Sequence, residues 1–293
     1  MEHGLFRCAS CKATLDCAAD AAIVCGTCGA RYPIEASVPV LLKDHGAHVQ
    51  EIAAAQQANP EWYVAAQPPE EASPWRHHLR KRRQYVEAVL KRELERRGWR
   101  KAPRLLDLGC GDGNNLLWLG AYAERLYGSD YNPVRTARAR ARCPDATVYM
   151  ADLLEYPTVD DAFDVIFFNH VIEHIPEDML ALETVWRILK PGGLLILGTP
   201  NEGAWWWQLA YKRSPEIRAT TDHVHFYTAG TIEAKMRAAG LAVTEIEHLG
   251  WGPPDWELDG RWRQHKWVDD LFERVGRSIL RSQASSLYLI ATK

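Results

Sequence analysis

Leu105-Leu106-Asp107-Leu108-Gly109-Cys110-Gly111-Asp112-Gly113-Asn114-Asn115 decides how this chain is read. An apolar run closing on an acidic residue passes into three alternate glycines, the pattern of a buried strand that turns sharply into a helix. Without β-carbons the backbone can lie directly against a ligand, whose polar groups would meet the amides at the helix start. A structural turn or another nucleotide site also fits the glycines alone. Asp130, at the end of the next apolar stretch, narrows the choice to a nucleoside, because a carboxylate there accepts both hydroxyls of a ribose. A dinucleotide fingerprint needs Gly-x-Gly-x-x-Gly. Here the third glycine comes one residue early and Asn114 fills its expected place, so pyrophosphate binding is disfavoured.

Outward from this turn the pattern alternates strand and helix, which builds a parallel sheet covered on both faces. Strands are expected at 104–108, 125–130, 147–150, 163–168, 194–198, 242–247 and 286–292. Helices are expected at 114–123, 133–142, 177–189 and 231–239, with a turn at Pro191-Gly192-Gly193. The expected fold is α/β, a doubly wound, seven-stranded, mostly parallel sheet. Two stretches break the alternation, at 199–226 and 251–282, and both are rich in aromatic residues: Trp205-Trp206-Trp207 and Tyr211 in the first, Trp251, Trp256, Trp262 and Trp267 in the second. Such rings suit the wall of an acceptor pocket or a lid, and suit core packing or a dimer surface equally well. Upstream, residues 75–100 read as a basic helix with Leu79, Val86, Val89, Leu90 and Leu94 on one stripe. Residues 44–74, with Trp62, Tyr63 and Pro68-Pro69, read as a linker with some helix.

Five of the seven cysteines fall before residue 29. Cys8-x-x-Cys11 and Cys25-x-x-Cys28 have the spacing of a four-thiolate zinc ribbon, with iron as the alternative metal, and residues 1–43 are too few to hold a core without one. Cys17, Cys110 and Cys143 read as ordinary thiols. A net charge of -3 argues against a surface that binds nucleic acid throughout. No apolar run approaches the length of a membrane span, and the expected location is the cytoplasm.

Taken together, residues from about 104 to 293 resemble the class I S-adenosylmethionine-dependent methyltransferases of the ubiquinone and natural-product type. Four segments carry the resemblance: Asp107 to Gly113, Ala151-Asp152-Leu153, Asn169-His170-Val171-Ile172-Glu173-His174-Ile175, and Leu189-Lys190-Pro191-Gly192-Gly193. The resemblance implies S-adenosylmethionine as cofactor, with Asp107, Gly109, Cys110, Gly111 and Gly113 under its methionine and sugar. It also implies that Asp130 holds the ribose, that Asp152 and the amide of Leu153 meet the adenine, and that Tyr131 and Asn169 belong to the same cofactor site. The N-terminal cysteine segment is similar to the small zinc-ribbon activators of tRNA and protein methyltransferases, and to the zinc domain of a bacterial rRNA guanine methyltransferase.

Methyl transfer to oxygen or nitrogen often needs a base, and histidine titrates in the right range. His174 is the first candidate because it follows a strand whose end should open on the ligand crevice. His223 is second, and His170 and His225 follow. Each also has a structural reading as a hydrogen-bonding residue. The leading functional expectation is a methyltransferase for a small-molecule or biosynthetic-intermediate acceptor. RNA is the rival acceptor, suggested by the zinc ribbon and the basic helix, although Asn169-His170-Val171-Ile172 is unlike the Asn-Pro-Pro-Tyr signature of amino-directed base methyltransferases. A non-catalytic scaffold is the third reading, and a homodimer is left open.

Overall fold

Short β-prone stretches near the N-terminus form a three-stranded antiparallel sheet of β1 (Ala22–Val24), β2 (Arg31–Glu35) and β3 (Val38–Pro39). Ala36 and Ser37, with φ of 49° and 62°, make the two-residue turn between β2 and β3, where paired positive φ angles match the strand twist. The computed structural model describes residues 2, 4–17, 21–58, 64–220, 223–253 and 255–293. Trp62 and Tyr63 of the expected linker, and Asp222 beside His223, lie outside the described residues.

Within the expected linker the chain forms helix α1 (His45–Ala58), started by Asp44, whose Oδ1 accepts the amide of Ala47 at 2.9 Å. The basic helix α2 (Arg76–Arg96) buries Val86, Val89, Leu90 and Leu94 along one stripe, as their spacing requires. The main alternation then follows as β4 (Ala102–Leu108), α3 (Leu116–Leu119), β5 (Ala123–Asp130), α4 (Pro133–Arg142), β6 (Thr147–Met150), β7 (Phe163–Asn169), α5 (Asp178–Ile188) and β8 (Leu189–Pro200). Next come α6 (Trp205–Arg213), α7 (Ala229–Ala238), β9 (Ala242–Leu249), α8 (Trp256–Arg263), α9 (Lys266–Arg274) and β10 (Ser286–Thr292). Asn132 caps α4 by accepting the amides of Val134 and Arg135, with Pro133 at the first helical position.

The seven main strands lie in the order β6-β5-β4-β7-β8-β10-β9, the expected doubly wound, mostly parallel sheet. β4 pairs with β5, and β5 with β6, in parallel; β10 runs antiparallel to both β8 and β9. Two expectations change. The helix predicted over 114–123 shrinks to α3 and a single 3-10 turn at Gly120–Tyr122, because Asn114 and Asn115 stay in the glycine turn and β5 already begins at Ala123. The turn predicted at 191–193 is absorbed into β8, where Gly192 at φ 70° takes the bend.

Two units make up the chain: Met1–Gln67, Trp99–Phe167 and Thr184–Gly193 in the first, and Pro68–Gly98, Phe168–Glu183 and Leu194–Lys293 in the second. In the first unit Leu116, Ala139, Cys143, Ala146 and Val148 pack around Cys110 beside the glycine turn. Val38, Val40 and Leu42, leaving the cysteine segment, pack with Met150 at the end of β6, each such side chain contributing roughly 1.5–3 kcal/mol. A bridge from Val40 to Met150 and a bond from the Leu41 amide to the Met150 carbonyl at 2.9 Å add the segment to that strand. Leu5, Phe6 and Arg7 pair likewise with residues 157–159. In the second unit the fully buried Arg263 holds α8 and α9 together through Asp259 at 2.8 Å and Asp269 at 2.7 Å. No helix among the described residues is long and apolar enough to cross a membrane.

Candidate functional site

In the first unit the chain leaves β4 through Gly109, Gly111 and Gly113, with φ of 77°, 52° and 82°. A β-carbon on Gly113 would stand 3.0 Å from the backbone of Ala139, and one on Gly111 2.9 Å from Oε1 of Gln67, so neither position admits a side chain without displacement. The amides of Gly109 and Cys110 donate to the Ser129 carbonyl, and that of Gly113 to the Cys110 carbonyl. α3 is a single turn, so the expected helix start with free amides is not formed. The glycines supply room and the neighbouring strand braces them. Cys110 points its thiol into the core, which leaves only its backbone to face a ligand.

Asp130 ends β5 and accepts the amide of Gly111 on Oδ2 and that of Asn132 on Oδ1, each at 2.9 Å. The Tyr131 amide acts on the same carboxylate, and the lone pairs left over suit hydroxyl donors such as those of a ribose. Burial pushes the Asp130 carboxyl up, with the amides of Asn132 and Gly111 opposing. Asp107, fully buried with one oxygen lacking a partner, is pushed well up by burial and by Asp130. Asp152 accepts the Leu154 amide at 2.8 Å, and burial raises its carboxyl too. Tyr131 is clasped by α1: its carbonyl meets Nε2 of His48 at 2.8 Å and its hydroxyl donates to Glu51 at 2.7 Å. The backbone amide of Gln67 donates to Asp112 at 2.7 Å. His48, Glu51 and Gln67 escape sequence reading, because nothing local marks a linker residue that returns to a distant turn.

The four predicted metal-binding cysteines converge, with all four sulfurs within 4.8 Å of one another. Cys8 and Cys28 are 3.6 Å apart, as are Cys11 and Cys25. Sulfurs about 2.3 Å from a tetrahedral zinc stand about 3.8 Å apart, so the cluster fits such an ion. Each pair sits in the same turn. The amides of Cys8 and Cys25 donate to the carbonyls of Ala13 and Ala30, those of Lys12 and Gly29 donate back to the first cysteine, and Lys12 and Gly29 both take positive φ. Burial opposes ionisation of Cys8, but bonds from Tyr32, Cys11 and Ser10 outweigh it and bring the thiol down to about 6. Cys17 stands apart, buried and pushed up to about 11 mainly by that burial.

In the second unit the histidines gather on carboxylates. Glu173 is almost fully buried; Oε2 accepts from Thr199 at 3.2 Å, while Oε1 has Nδ1 of His170 at 3.2 Å and Nε2 of His174 at 3.9 Å. Burial would raise this carboxyl, yet His170 and His174 hold it low. His170, at φ 55°, is brought down to about 4 by burial and by Arg82, so it is a neutral ring and a weak base. The rings of His174 and His223 meet edge to face at 4.9 Å. Nδ1 of His223 lies 3.6 Å from Glu202, which also accepts from the Tyr211 hydroxyl. His225 turns away to the Pro176 carbonyl and Asp178. Asn169 is engaged by Tyr288 at 2.9 Å and Arg82 at 3.3 Å in this unit. Glu173 was within reach of sequence reasoning, since it stands inside the quoted segment, and Tyr211 was named among the rings of the first aromatic stretch; Glu202 was missed.

Trp207 stacks on Tyr211, and Arg218 lies over the rings of Tyr211 and Phe226 at 4.7 and 4.9 Å. Trp251 and Trp262 cover Phe272, whereas Trp267 is 72% exposed. The cations of α2 are mostly paired: Arg80 and Arg83 with Glu70, Lys81 with Asp269 and Asp270, Arg92 with Glu245, Arg96 with Glu93.

A glycine turn braced by its neighbouring strand and followed by an acidic strand end, on a sheet of this order, defines a fold of the class I methyltransferase type. The family model described as "Methyltransferase domain" matches residues 75–246, and the chain belongs to that family. Among its relatives is a protein named "Probable S-adenosylmethionine-dependent methyltransferase" from Mycolicibacterium smegmatis, 27% identical over 157 residues, covering 54% of this chain and 59% of that one. Another is a "Ubiquinone biosynthesis O-methyltransferase" from Azorhizobium caulinodans, 26% identical over 186 residues, covering 60% of this chain and 72% of that one. A Bacillus halodurans structure described as "a putative methyltransferase" shares the fold at a TM-score of 0.52 and 15% identity, covering 70% of this chain and 99% of that one. The chain thus spans 59% of the length of the first curated relative it matches.

Proposed function

We propose that this chain transfers a methyl group from S-adenosylmethionine to a small-molecule acceptor, at oxygen or nitrogen. The observation that carries the reading is the Asp130 carboxylate, fixed by two backbone amides beside a turn whose glycines at 109, 111 and 113 all take positive φ. Gly109, Gly111 and Gly113 give the methionine and sugar room, Asp130 takes the ribose hydroxyls, and Asp152 with the Leu153 amide takes the adenine. When bound, the donor supplies a methyl group on a sulfonium, reactive toward a lone pair.

The acceptor's proton falls to His174 or His223. A carboxylate facing Nδ1 of His223 favours the proton on that nitrogen and leaves the other as a base. His170, a neutral and half-buried ring, orients Glu173 instead. The name of the Azorhizobium relative supports an oxygen acceptor. Ion pairing along α2 leaves little free charge for a phosphate backbone, which speaks against RNA. A zinc ion on Cys8, Cys11, Cys25 and Cys28 would supply stability and no chemistry, since four thiolates close its coordination.

Calorimetry with S-adenosylmethionine and its demethylated product, followed by transfer of labelled methyl into small-molecule and RNA fractions, tests the reading. Binding with label in the small-molecule fraction is expected. Absence of binding to the metal-replete protein would sink it.

A further inference from the structure

Besides the four cysteines, a second set of metal-binding groups converges among the described residues. The carboxylate of Glu173 and one ring nitrogen each of His174 and His223 all lie within 4.8 Å of one another, in the second unit. They come from two stretches that the backbone ties together. Ile172–His174 is a single 3-10 turn shortly after β7 and carries Glu173 and His174. The Glu173 carbonyl accepts the amides of Val224 at 2.9 Å and His225 at 3.1 Å, which fixes the segment of His223 against that turn. The cluster is therefore held by main chain as well as by side chains, as a preformed site requires.

Glu173 is its anchor. The Thr199 hydroxyl donates to Oε2 at 3.2 Å, and Oε1 has Nε2 of His174 3.9 Å away yet accepts no hydrogen bond in bonding geometry. A buried carboxylate oxygen is costly without a donor or a cation. Its burial matches that of Cys8 and Cys25, 0% and 1% exposed in the four-sulfur cluster. Ligand atoms crowding round one point shut out a water-sized sphere, whereas a bare ion sits about 2.1 Å from each. The rings of His174 and His223 are partly exposed and give an ion its way in. Ligands of one ion stand about 3.0–3.4 Å apart, a spacing that small turns of these rings reach. On the far side Oε1 of Glu202 lies 3.6 Å from Nδ1 of His223, the carboxylate that commonly backs a ligand imidazole.

We infer that Glu173, His174 and His223 form a second metal site, for a divalent transition-metal ion such as zinc or cobalt(II). Two imidazoles and a carboxylate suit ions of this class and leave coordination positions open, unlike four thiolates. With three protein ligands the site is weaker than the cysteine cluster and fills after it. The site rests on these groups alone, and only its consequence rests on the proposed function: a nitrogen bound to an ion cannot also take the acceptor's proton, so filling the site slows transfer.

The test loads the full chain with one equivalent of zinc, to fill the cysteine cluster, and then titrates it with cobalt(II). The cobalt spectrum tells the two kinds of site apart, since only thiolates add sulfur-to-metal charge-transfer bands. One further equivalent bound without those bands is expected. His174→Ala and His223→Ala should each weaken it by at least about tenfold. His225→Ala, whose ring turns to the Pro176 carbonyl and Asp178, should bind cobalt as the unaltered chain does. A cooperative melt near that of the unaltered chain shows each variant to be folded. Cobalt that binds only with thiolate bands, binds equally to all three variants, or does not bind would overturn the inference. Turnover should fall as the site fills; turnover that persists with the site full would remove the two histidines from the base role and leave the metal site standing, so the two readings fail separately.

Discussion

Under the proposed function, His174 and Asp130 are the two side chains whose replacement should separate catalysis from binding. His174→Ala should leave S-adenosylmethionine affinity within about twofold and slow turnover by about a hundredfold, the usual contribution of a positioned base; stopped-time assays beside calorimetry measure both. Asp130 gives a pH signature. Its carboxyl is raised by burial, and in the proposed function its protonation would remove the acceptor for the ribose hydroxyls. Donor affinity should therefore be level in mildly alkaline buffer and decline on acidification, beginning at higher pH than an ordinary aspartate would cause, and Asp130→Asn should flatten that profile. Asp130 and the glycines were legible in the sequence because strand, turn and acidic strand end follow one another locally. His48, Gln67 and Glu202 were not, because each meets its partner through long-range folding that no period or motif records.

At the scale of elements, period-2 and period-3.6 patterns placed all seven main strands and the helices α2, α4, α5 and α7 to within a few residues. The two aromatic stretches were recognised as breaks but could not be folded by pattern, since their order comes from single contacts. α8 and α9 depend on one such group. Arg263 is buried between Asp259 and Asp269, while Asp259 also accepts from Trp75 at 2.7 Å and Asp269 from Lys81 at 2.6 Å. Arg263→Ala removes the cation between two buried carboxylates, leaving Asp259 only its bond from Trp75 and Asp269 its pair with Lys81, and should lower stability by about 3 kcal/mol in urea unfolding. An outcome under about 1 kcal/mol would show the pair of helices to be held by apolar packing alone.

For the whole molecule, the cysteine segment was expected as a separate domain, and its spacing did locate the four sulfurs. Sequence could not show that Leu5, Phe6, Arg7, Val40 and Leu41 stitch the segment to residues 150–159, on either side of Asp152. A chelator strong enough to strip zinc, or Cys25→Ser, should reduce metal content from about one ion per chain and lower the melting temperature. Donor affinity should weaken in parallel, since the loop carrying Asp152 loses its support. Elemental analysis showing no zinc in freshly purified protein would remove the metal from the account.

β10 is made after β8 and β9, yet it lies between them and pairs with both. A nascent chain that has already produced those two strands cannot zip them together until the intervening ribbon emerges from the ribosome. Until then each presents an unpaired edge to the cell, the state in which strands find the wrong neighbour. The half of the sheet that carries the histidines therefore matures last, and chaperone demand should peak just before the last strand is made.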